Sequence, residues 1–257
     1  MGSSGERGLL ATVEAAVSMT AFHMRLLLGI PFFVLTAFAT PASFCLLKLV
    51  GSGGGAPDGG LWVQVVMAGT WATTTTAAGI IGFQRFQGTL EYMSHSPLPD
   101  AAAFFPLLLS VVLLGAVVSV PESLVLCAAL GAAPSLLPAQ WISCVLVVLS
   151  CACLAPALAV PCLHTLNSAA FEPVFLVVVW TLSGAVLPVS QLPTPLAQAA
   201  WATPLAHACA VAEGGAVVPW ASVALCLILC AVYGFLGYRA LLRVLDKSRT
   251  TGKVGLM

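Results

Sequence analysis

The 257-residue sequence is 60% hydrophobic and only 7% charged, and its 9 Lys and Arg residues balance its 9 Asp and Glu residues. Soluble domains average about 25% charged residues, so the composition excludes an ordinary soluble protein, and the high hydrophobicity excludes a disordered chain. Because the charge is balanced and scattered, the sequence lacks the basic surface of a nucleic-acid-binding protein and predicts an all-α protein that crosses a membrane several times.

The first predicted element is an amphipathic helix over residues 6–24. Its apolar stripe repeats at helical spacing and consists of Leu9, Val13, Ala16, Val17 and Thr20. Such a helix is expected to lie on the inner leaflet or against the helical bundle, and the alternative is an N-terminal extension of the first membrane span. The first long apolar run begins only after about 25 residues, so no cleavable signal peptide is expected.

Six membrane spans are predicted, because a helix crosses the ~30 Å hydrocarbon core with about 20 apolar residues. The third span is expected to end at Pro121-Glu122, and the short fifth span is expected to extend back to Asn167. Residues 51–60 are rich in glycine and predict a loop. The predicted spans cover residues 26–47, 61–83, 101–120, 142–163, 173–187 and 220–238.

The distribution of basic residues orients these spans. With the N-terminus inside, the outer segments keep only Lys48. The inner segments carry the other basic residues: Arg7, Arg25, Arg85, Arg239, Arg243, Lys247, Arg249 and Lys253. Basic segments stay on the cytoplasmic side, so both termini are predicted to be cytoplasmic, with residues 239–257 as a short, loosely ordered basic tail. Trp62, Trp141 and Trp220 then lie at outer helix ends, where an indole suits the headgroup layer.

The inner loop over residues 84–97 has a pattern of its own. Phe86, Leu90 and Met93 fall on one helical face, which predicts a short amphipathic helix that a partner's groove could receive. A solvated loop is the alternative. Arg85, Gly88-Thr89-Leu90-Glu91 and Pro97 resemble the coupling-helix segment of type-2 ABC exporter permeases.

A second segment resembles the outer region that follows span five in the same family. Its residues are Leu182-Ser183-Gly184-Ala185-Val186-Leu187-Pro188, Gln191-Leu192-Pro193, Leu196, Trp201 and Pro204-Leu205-Ala206-His207. With the six spans, the resemblance covers essentially the whole of residues 1–257 as one permease domain. Glu213 departs from the pattern, because the family commonly has a basic residue there.

Residues 188–215 are apolar although they contain four prolines. Irregular backbone at membrane depth must be buried in protein or line a wet cavity, so two short re-entrant helices broken near Thr203-Pro204 are predicted to form an outer lid. An exposed loop is the alternative. The predicted outer gate consists of Pro188, Leu192, Pro193, Trp201, Pro204 and His207.

The resemblance implies a dimer of permeases in which each half docks on a separate ATP-binding subunit. It implies that docking involves Arg85, Phe86, Gly88, Thr89, Leu90 and Glu91. ATP and Mg²⁺ are then bound by the two copies of the ATPase, and this chain is expected to bind no cofactor, because it has no phosphate-binding loop with a following Lys-Ser/Thr. No catalytic residue and no metal site are expected in the chain itself.

Polar residues within the spans are the remaining candidates. Thr73 to Thr76 are predicted to donate to the i−4 carbonyls of their own helix and to bend it, and the candidates for a substrate path are Thr73, Thr74, Thr76 and Glu122. Glu122 is predicted near the outer interface, where it would be paired or reach the headgroups. Small residues are predicted to permit close helix packing, namely Gly79, Gly82, Gly115 and Ser119. Most of the nine cysteines lie in apolar runs and predict packing residues.

The sequence therefore predicts the membrane-spanning half of an ABC exporter in a bacterial plasma membrane. The expected substrate is amphipathic: a lipid, lipid-linked glycan, lipopeptide or hydrophobic drug. The expected partners are the ATPase, a second permease, identical or related, and membrane lipids, with no nucleic acid. The alternatives are an integral lipid-modifying enzyme, a non-transporting membrane scaffold and a secondary transporter.

Overall fold

The protein is mainly helical in the residues that a computed structural model describes, which are 3–51, 59–94, 100–164, 170 and 172–251. No β-strand occurs in those ranges, so the predicted all-α class is confirmed. The α-helices in these ranges are α1 (Ser3–Leu28), α2 (Pro31–Gly51), α3 (Leu61–Phe86), α4 (Thr89–Ser94), α5 (Asp100–Ala129), α6 (Pro138–His164), α7 (Glu172–Leu182), α8 (Thr194–Trp201), α9 (Pro204–Glu213) and α10 (Trp220–Thr251).

Four of these helices are long and apolar enough to cross a membrane, judged over the described ranges. They are α2 over Pro31–Gly51, α5 over Ala103–Ala129, α6 over Pro138–Pro161 and α10 over Trp220–Lys247. These apolar helices are compatible with a membrane protein. By contrast, α7 has 11 residues and is about 16 Å long, and the predicted extension of its span to Asn167 lies outside the described residues.

The centre of the bundle is α3, which packs against α2, α5, α6 and α7. Small residues make this packing close. A Cβ atom added at Gly69 would lie 2.2 Å from Ser119 Oγ of α5, and one added at Gly115 would lie 1.9 Å from Thr73 Oγ1 of α3. The predicted packing role of Gly115 and Ser119 is therefore confirmed.

Three predicted helix boundaries are wrong. The chain turns at Gly29-Ile30 before α2 begins at Pro31, so α1 is a separate helix and not an extension of the first span. Proline suits the first helical position and disfavours a helical residue before it. The third apolar helix continues through Pro121 to Ala129, since membrane helices tolerate an internal proline. Finally, α10 continues to Thr251, because Leu241 and Leu245 pack in the main apolar cluster.

These boundaries change two assignments. Residues 239–251 are helical and not a loosely ordered tail, and residues 252–257 lie outside the described ranges. The N-terminal helix α1 packs chiefly against α5 through buried Thr20 and Leu27, whereas Val13 and Val17 of the predicted stripe are exposed. The side chain of Leu9 lies outside the described part of the chain.

The predicted headgroup position is wrong for Trp62. Its ring is fully buried, and its Nε1 donates to Ser135 O at 3.2 Å and to Gln140 Oε1 at 3.1 Å. Buried indoles need such an acceptor, which the loop before α6 supplies. Trp141 and Trp220, at the starts of α6 and α10, are exposed.

Candidate functional site

The first candidate site is the corner between α3 and α4. Gly88 has a φ of 72°, a left-handed conformation that glycine adopts without strain, and the chain turns there from α3 into α4. Thr89 then donates its hydroxyl to Gln84 O at 3.1 Å and also hydrogen-bonds Gln84 Oε1. These bonds tie the start of α4 to the last turn of α3.

The exposed part of this corner differs from the predicted apolar face. Tyr92 is 82% exposed, whereas Met93 is half-buried and packs against the main apolar cluster. Tyr92 and Met93 face different ways because the side chains of neighbouring residues on a helix point about 100° apart. Sequence reasoning did not single out Tyr92, although an aromatic residue in a short polar connection was the available signal.

The backbone of the other predicted docking residues lies in the same corner, at the end of α3 and the start of α4. Gly88 is exposed and Thr89 is half-buried. The side chains of Arg85, Phe86, Leu90 and Glu91 lie outside the described part, as do residues 95–97 of the predicted loop. Their docking role stays a prediction.

The second candidate site is a helical hairpin at the opposite end, formed by α8 and α9. Pro195 lies in the first turn of α8, and Pro204 lies in the first turn of α9. Proline is favoured at these positions because its missing N–H has no intrahelical partner there. Thr203 caps α9 by accepting a hydrogen bond from Ala206 N at 3.3 Å, so the break between the helices falls at residues 202–203.

Side chains from both helices meet at this break. His207 Nε2 lies 2.9 Å from Trp201 O, and the two rings are 5.1 Å apart. A carbonyl oxygen can only accept, so Nε2 carries the proton and donates it. His207 Nδ1 is buried and has no hydrogen-bond partner among the described residues.

The hairpin turn lies deep along α10. Tyr233 Oη donates to Ala202 O at 3.1 Å, and Cys226 Sγ donates to Pro204 O at 3.3 Å. Because α10 begins at Trp220, the Cys226 contact lies about 9 Å along its axis and the Tyr233 contact about 20 Å. The turn therefore sits well below the helix end and not on top of it.

The two short helices differ in burial. Residues 204–209 of α9 are all buried, whereas most of α8 is exposed apart from Ala200. Burial raises the pKa of the Cys209 thiol to about 12, with the nearby Glu213 carboxylate adding to the effect. A thiol in this state is protonated and unreactive.

The other predicted gate residues lie towards the start of the hairpin. Pro188 and Leu192 are half-buried and Pro193 is exposed. A short 3₁₀ helix, Val189–Gln191, separates them, and Leu192 packs on a small apolar cluster that contains Val189 and Ala200. The structure thus brings Trp201, Pro204 and His207 together, with the remaining three at the other end of α8.

The hydroxyls of α3 point into the protein interior. Thr73, Thr74, Thr75 and Thr76 are at most 1% exposed. Their hydroxyls donate to Thr70 O at 2.9 and 2.6 Å, to Ala72 O at 2.7 Å and to Thr73 O at 2.6 Å, respectively. The sequence predicted bonding to the i−4 carbonyls, whereas the shortest bonds of Thr73, Thr75 and Thr76 go to the i−3 carbonyls and only that of Thr74 goes to i−4. Bonding within the helix leaves none of these hydroxyl protons for a substrate in this conformation.

Glu122 lies farther from the helix end than predicted. It is seven residues before the end of α5 at Ala129, or about 10 Å along the axis, so it falls within the apolar stretch. Its Oε2 atom is buried without a hydrogen-bond partner among the described residues. The predicted pairing is therefore not made by that atom.

No protein-family model matches the chain, and no curated protein sequence matches it significantly. Within the described ranges, no group of three or more His, Cys, Asp or Glu side chains is arranged to hold a metal ion. Geometry at the two ends of the bundle is therefore the basis for assigning a function.

Proposed function

We propose that this chain is the membrane-spanning subunit of an ABC exporter, with six spans and cytoplasmic termini in a bacterial plasma membrane. Two copies of a separate ATP-binding subunit bind ATP and Mg²⁺, and a second permease, identical or related, completes the complex. The exported substrate is amphipathic: a lipid, lipid-linked glycan, lipopeptide or hydrophobic drug. Apolar helices with almost no charge suit such a substrate better than a small ion.

The observation that carries the proposal is the attachment of α4 to α3. A partner that contacts exposed Tyr92 would act on a short helix that is hydrogen-bonded, through Thr89, to the last turn of the central helix. Buried aromatic anchors contribute much of the free energy at protein interfaces, and Tyr92 offers such an anchor.

A displacement of α3 can reach the outer hairpin through α7. Trp71 Nε1 of α3 donates to Phe175 O at 3.1 Å, and Trp180 Nε1 of α7 donates to Ala68 O at 3.4 Å. The end of α7 leads directly into the hairpin, which also contacts α3 and α6 through α9. This contiguous set of contacts supports coupling between partner docking on α4 and opening of the hairpin.

The test is purification of the chain from its native membrane in mild detergent, followed by identification of retained subunits and assay of ATPase activity in liposomes. We expect a stoichiometric ATP-binding subunit. Tyr92→Ala should lower both its retention and the ATPase activity about tenfold, the effect of losing one interface anchor. Glu91→Arg should likewise lower ATPase stimulation while membrane insertion remains intact.

The matched control is Trp220→Ala, which removes an exposed ring at the opposite end of the bundle. Retention of the ATPase should be unchanged in this variant. The proposal fails if the folded, monodisperse chain retains no ATP-binding subunit. It also fails if Tyr92→Ala and Trp220→Ala have equal effects, since docking would then not involve α4.

A further inference from the structure

Two grooves, one of mixed polarity and one almost wholly apolar, meet at His23, near the end of α1. One, of about 370 Å³, runs between the α1–α2 turn and the end of α3, and its polar lining comes from His23, Arg25, Gln84 and Gln87. The other, of about 480 Å³, lies between α1, α4 and α5 and is almost entirely apolar. His23 lines both grooves, so they lie next to each other.

The groove that contains Gln84 and Gln87 is lined by one cationic side chain among those described, Arg25. Arg25 is exposed, and no acidic side chain lines either groove among the residues with described side chains. A guanidinium presents several N–H donors in a planar fork that matches phosphate oxygens, and the Gln84 and Gln87 amides add further donors. Burial lowers the pKa of His23, so its neutral ring adds hydrogen bonding without adding charge.

The apolar groove provides space for a hydrocarbon chain. Met19 and Phe22 of α1 form one wall, and Met93 of α4 and Ala103 of α5 lie opposite. Phe22 is 58% exposed, so this wall is not covered by the rest of the chain. Methionine side chains adapt readily to an irregular apolar ligand.

We propose that the paired grooves bind one acidic phospholipid. Its phosphate contacts Arg25 and the Gln84 and Gln87 amides, and one acyl chain lies along Met19, Phe22 and Met93. The joining of a cationic groove to an apolar one favours a single amphipathic anion over a free phosphate, which would leave the apolar groove unfilled. Neither groove alone would select this ligand.

The bound lipid would bridge α1, α4 and α5. Its acyl chain would contact both Tyr92 and Met93 of α4, which line the apolar groove, and would hold the short helix against the bundle. This inference concerns a lipid site and does not require that the chain transports anything.

The experiment uses the full chain purified in detergent and stripped of lipid, with native mass spectrometry to measure binding of phosphatidylglycerol and phosphatidylcholine of equal chain length. We expect phosphatidylglycerol to bind about tenfold more tightly, because both lipids carry the phosphate and only phosphatidylcholine carries a choline cation, which the Arg25 guanidinium repels. Arg25→Gln should remove that preference, and Phe22→Ala should weaken the binding of both lipids.

Two matched variants control for general effects. Arg243→Gln removes an exposed charge from α10, at the same end as Arg25, and Phe38→Ala removes an exposed ring from α2. Both should bind phosphatidylglycerol as the parent chain does. Because all four substituted side chains are exposed or half-exposed, thermal unfolding should confirm that each variant folds.

Three outcomes would overturn the proposal. Equal affinity for the two lipids would rule out a site that selects an acidic phospholipid over a zwitterionic one. An equal loss in Arg25→Gln and Arg243→Gln would indicate attraction to the overall charge and not a site. Competition by glycerol 3-phosphate as effective as that of phosphatidylglycerol itself would identify a soluble phosphate ligand in place of a lipid.

Discussion

The helix α4 at one end of the bundle and the α8–α9 hairpin at the other are both short helical insertions, yet they are held very differently. Among the described side chains of α4, Thr89 hydrogen-bonds to α3, Met93 packs against the main apolar cluster, and Tyr92 is exposed. By contrast, α9 is buried along residues 204–209 and is bonded to α8 and α10 by side chains. The sequence explains this, since small apolar residues let α9 pack among α3, α6 and α10, whereas α4 carries Thr, Glu and Tyr.

The difference indicates how the two ends can move. A partner can contact the exposed Tyr92 ring of α4 without displacing a buried side chain, and the Thr89–Gln84 hydrogen bonds connect α4 to α3. The hairpin can open only when its hydrogen bonds and its packing on α6 and α10 are lost. The four substitutions below test this contrast, in order of decreasing expected effect on stability.

The largest effect is expected for Gly115→Val, at the packed centre that connects the two ends. The new Cβ would lie 1.9 Å from Thr73 Oγ1 and 3.0 Å from Thr70 Cα, so α3 and α5 must separate. We expect a loss of about 3 kcal/mol, the upper part of the range for overpacking. Thermal unfolding in detergent measures it, with Gly51→Val as control because nothing lies within 4 Å of that position. Equal midpoints for the two variants would contradict the close approach.

His207→Ala should have the next largest effect, because it removes both a hydrogen bond and a buried ring. The ring is only 6% exposed, and its loss leaves Trp201 O without this donor. We expect a loss of about 2 kcal/mol from the missing bond and the cavity. The reactivity of the Cys209 thiol towards a polar thiol reagent should rise as the hairpin loosens. Gln198→Ala, an exposed change on α8, is the control, and a Cys209 that stays inert in His207→Ala would argue against a clamping role.

Gly88→Ala should have a smaller effect on stability but a specific effect on function. Alanine at a φ of 72° is strained, which costs about 1 kcal/mol and tilts α4. Gly131→Ala is a matched control, since its φ is 81°, it also has nothing within 4 Å, and it lies in the loop after α5. Both variants should unfold at similar temperatures, and only Gly88→Ala should lower ATPase stimulation. Equal ATPase stimulation in the two variants would indicate that α4 takes no part in coupling the chain to the ATPase.

Tyr233→Phe should have the smallest effect. It removes the hydroxyl that donates to Ala202 O and leaves the ring in place, so the expected loss is about 0.5–1 kcal/mol. A small fall in unfolding temperature, with faster labelling of Cys209, would indicate that this bond holds the hairpin turn against α10. Tyr92→Phe, at an exposed ring, should change neither quantity.

Much of the helical layout follows from composition and periodicity, because long apolar runs have few other stable structures in a membrane. The predicted apolar stretches of α2, α5, α6 and α10 correspond to the four long apolar helices. Their ends were harder to predict, since Pro121 reads as a stop in the sequence but lies inside α5, and Leu241 and Leu245 extend α10 through contacts with distant residues. The six-span count and the docking roles of Arg85 and Glu91 stay predictions.

The sequence alone determined the all-α class, the apolar helices, the hydroxyl bonding along α3 and the close packing at Gly115 and Ser119, because these depend on local chemistry and helical period. Only the tertiary structure decided that Trp62 is buried beside Gln140, that Tyr92 faces outward while Met93 faces inward, and that the hairpin turn lies deep beside Tyr233. Each of these depends on which distant helix supplies the neighbouring surface, and a periodic pattern in one segment carries no information about that neighbour.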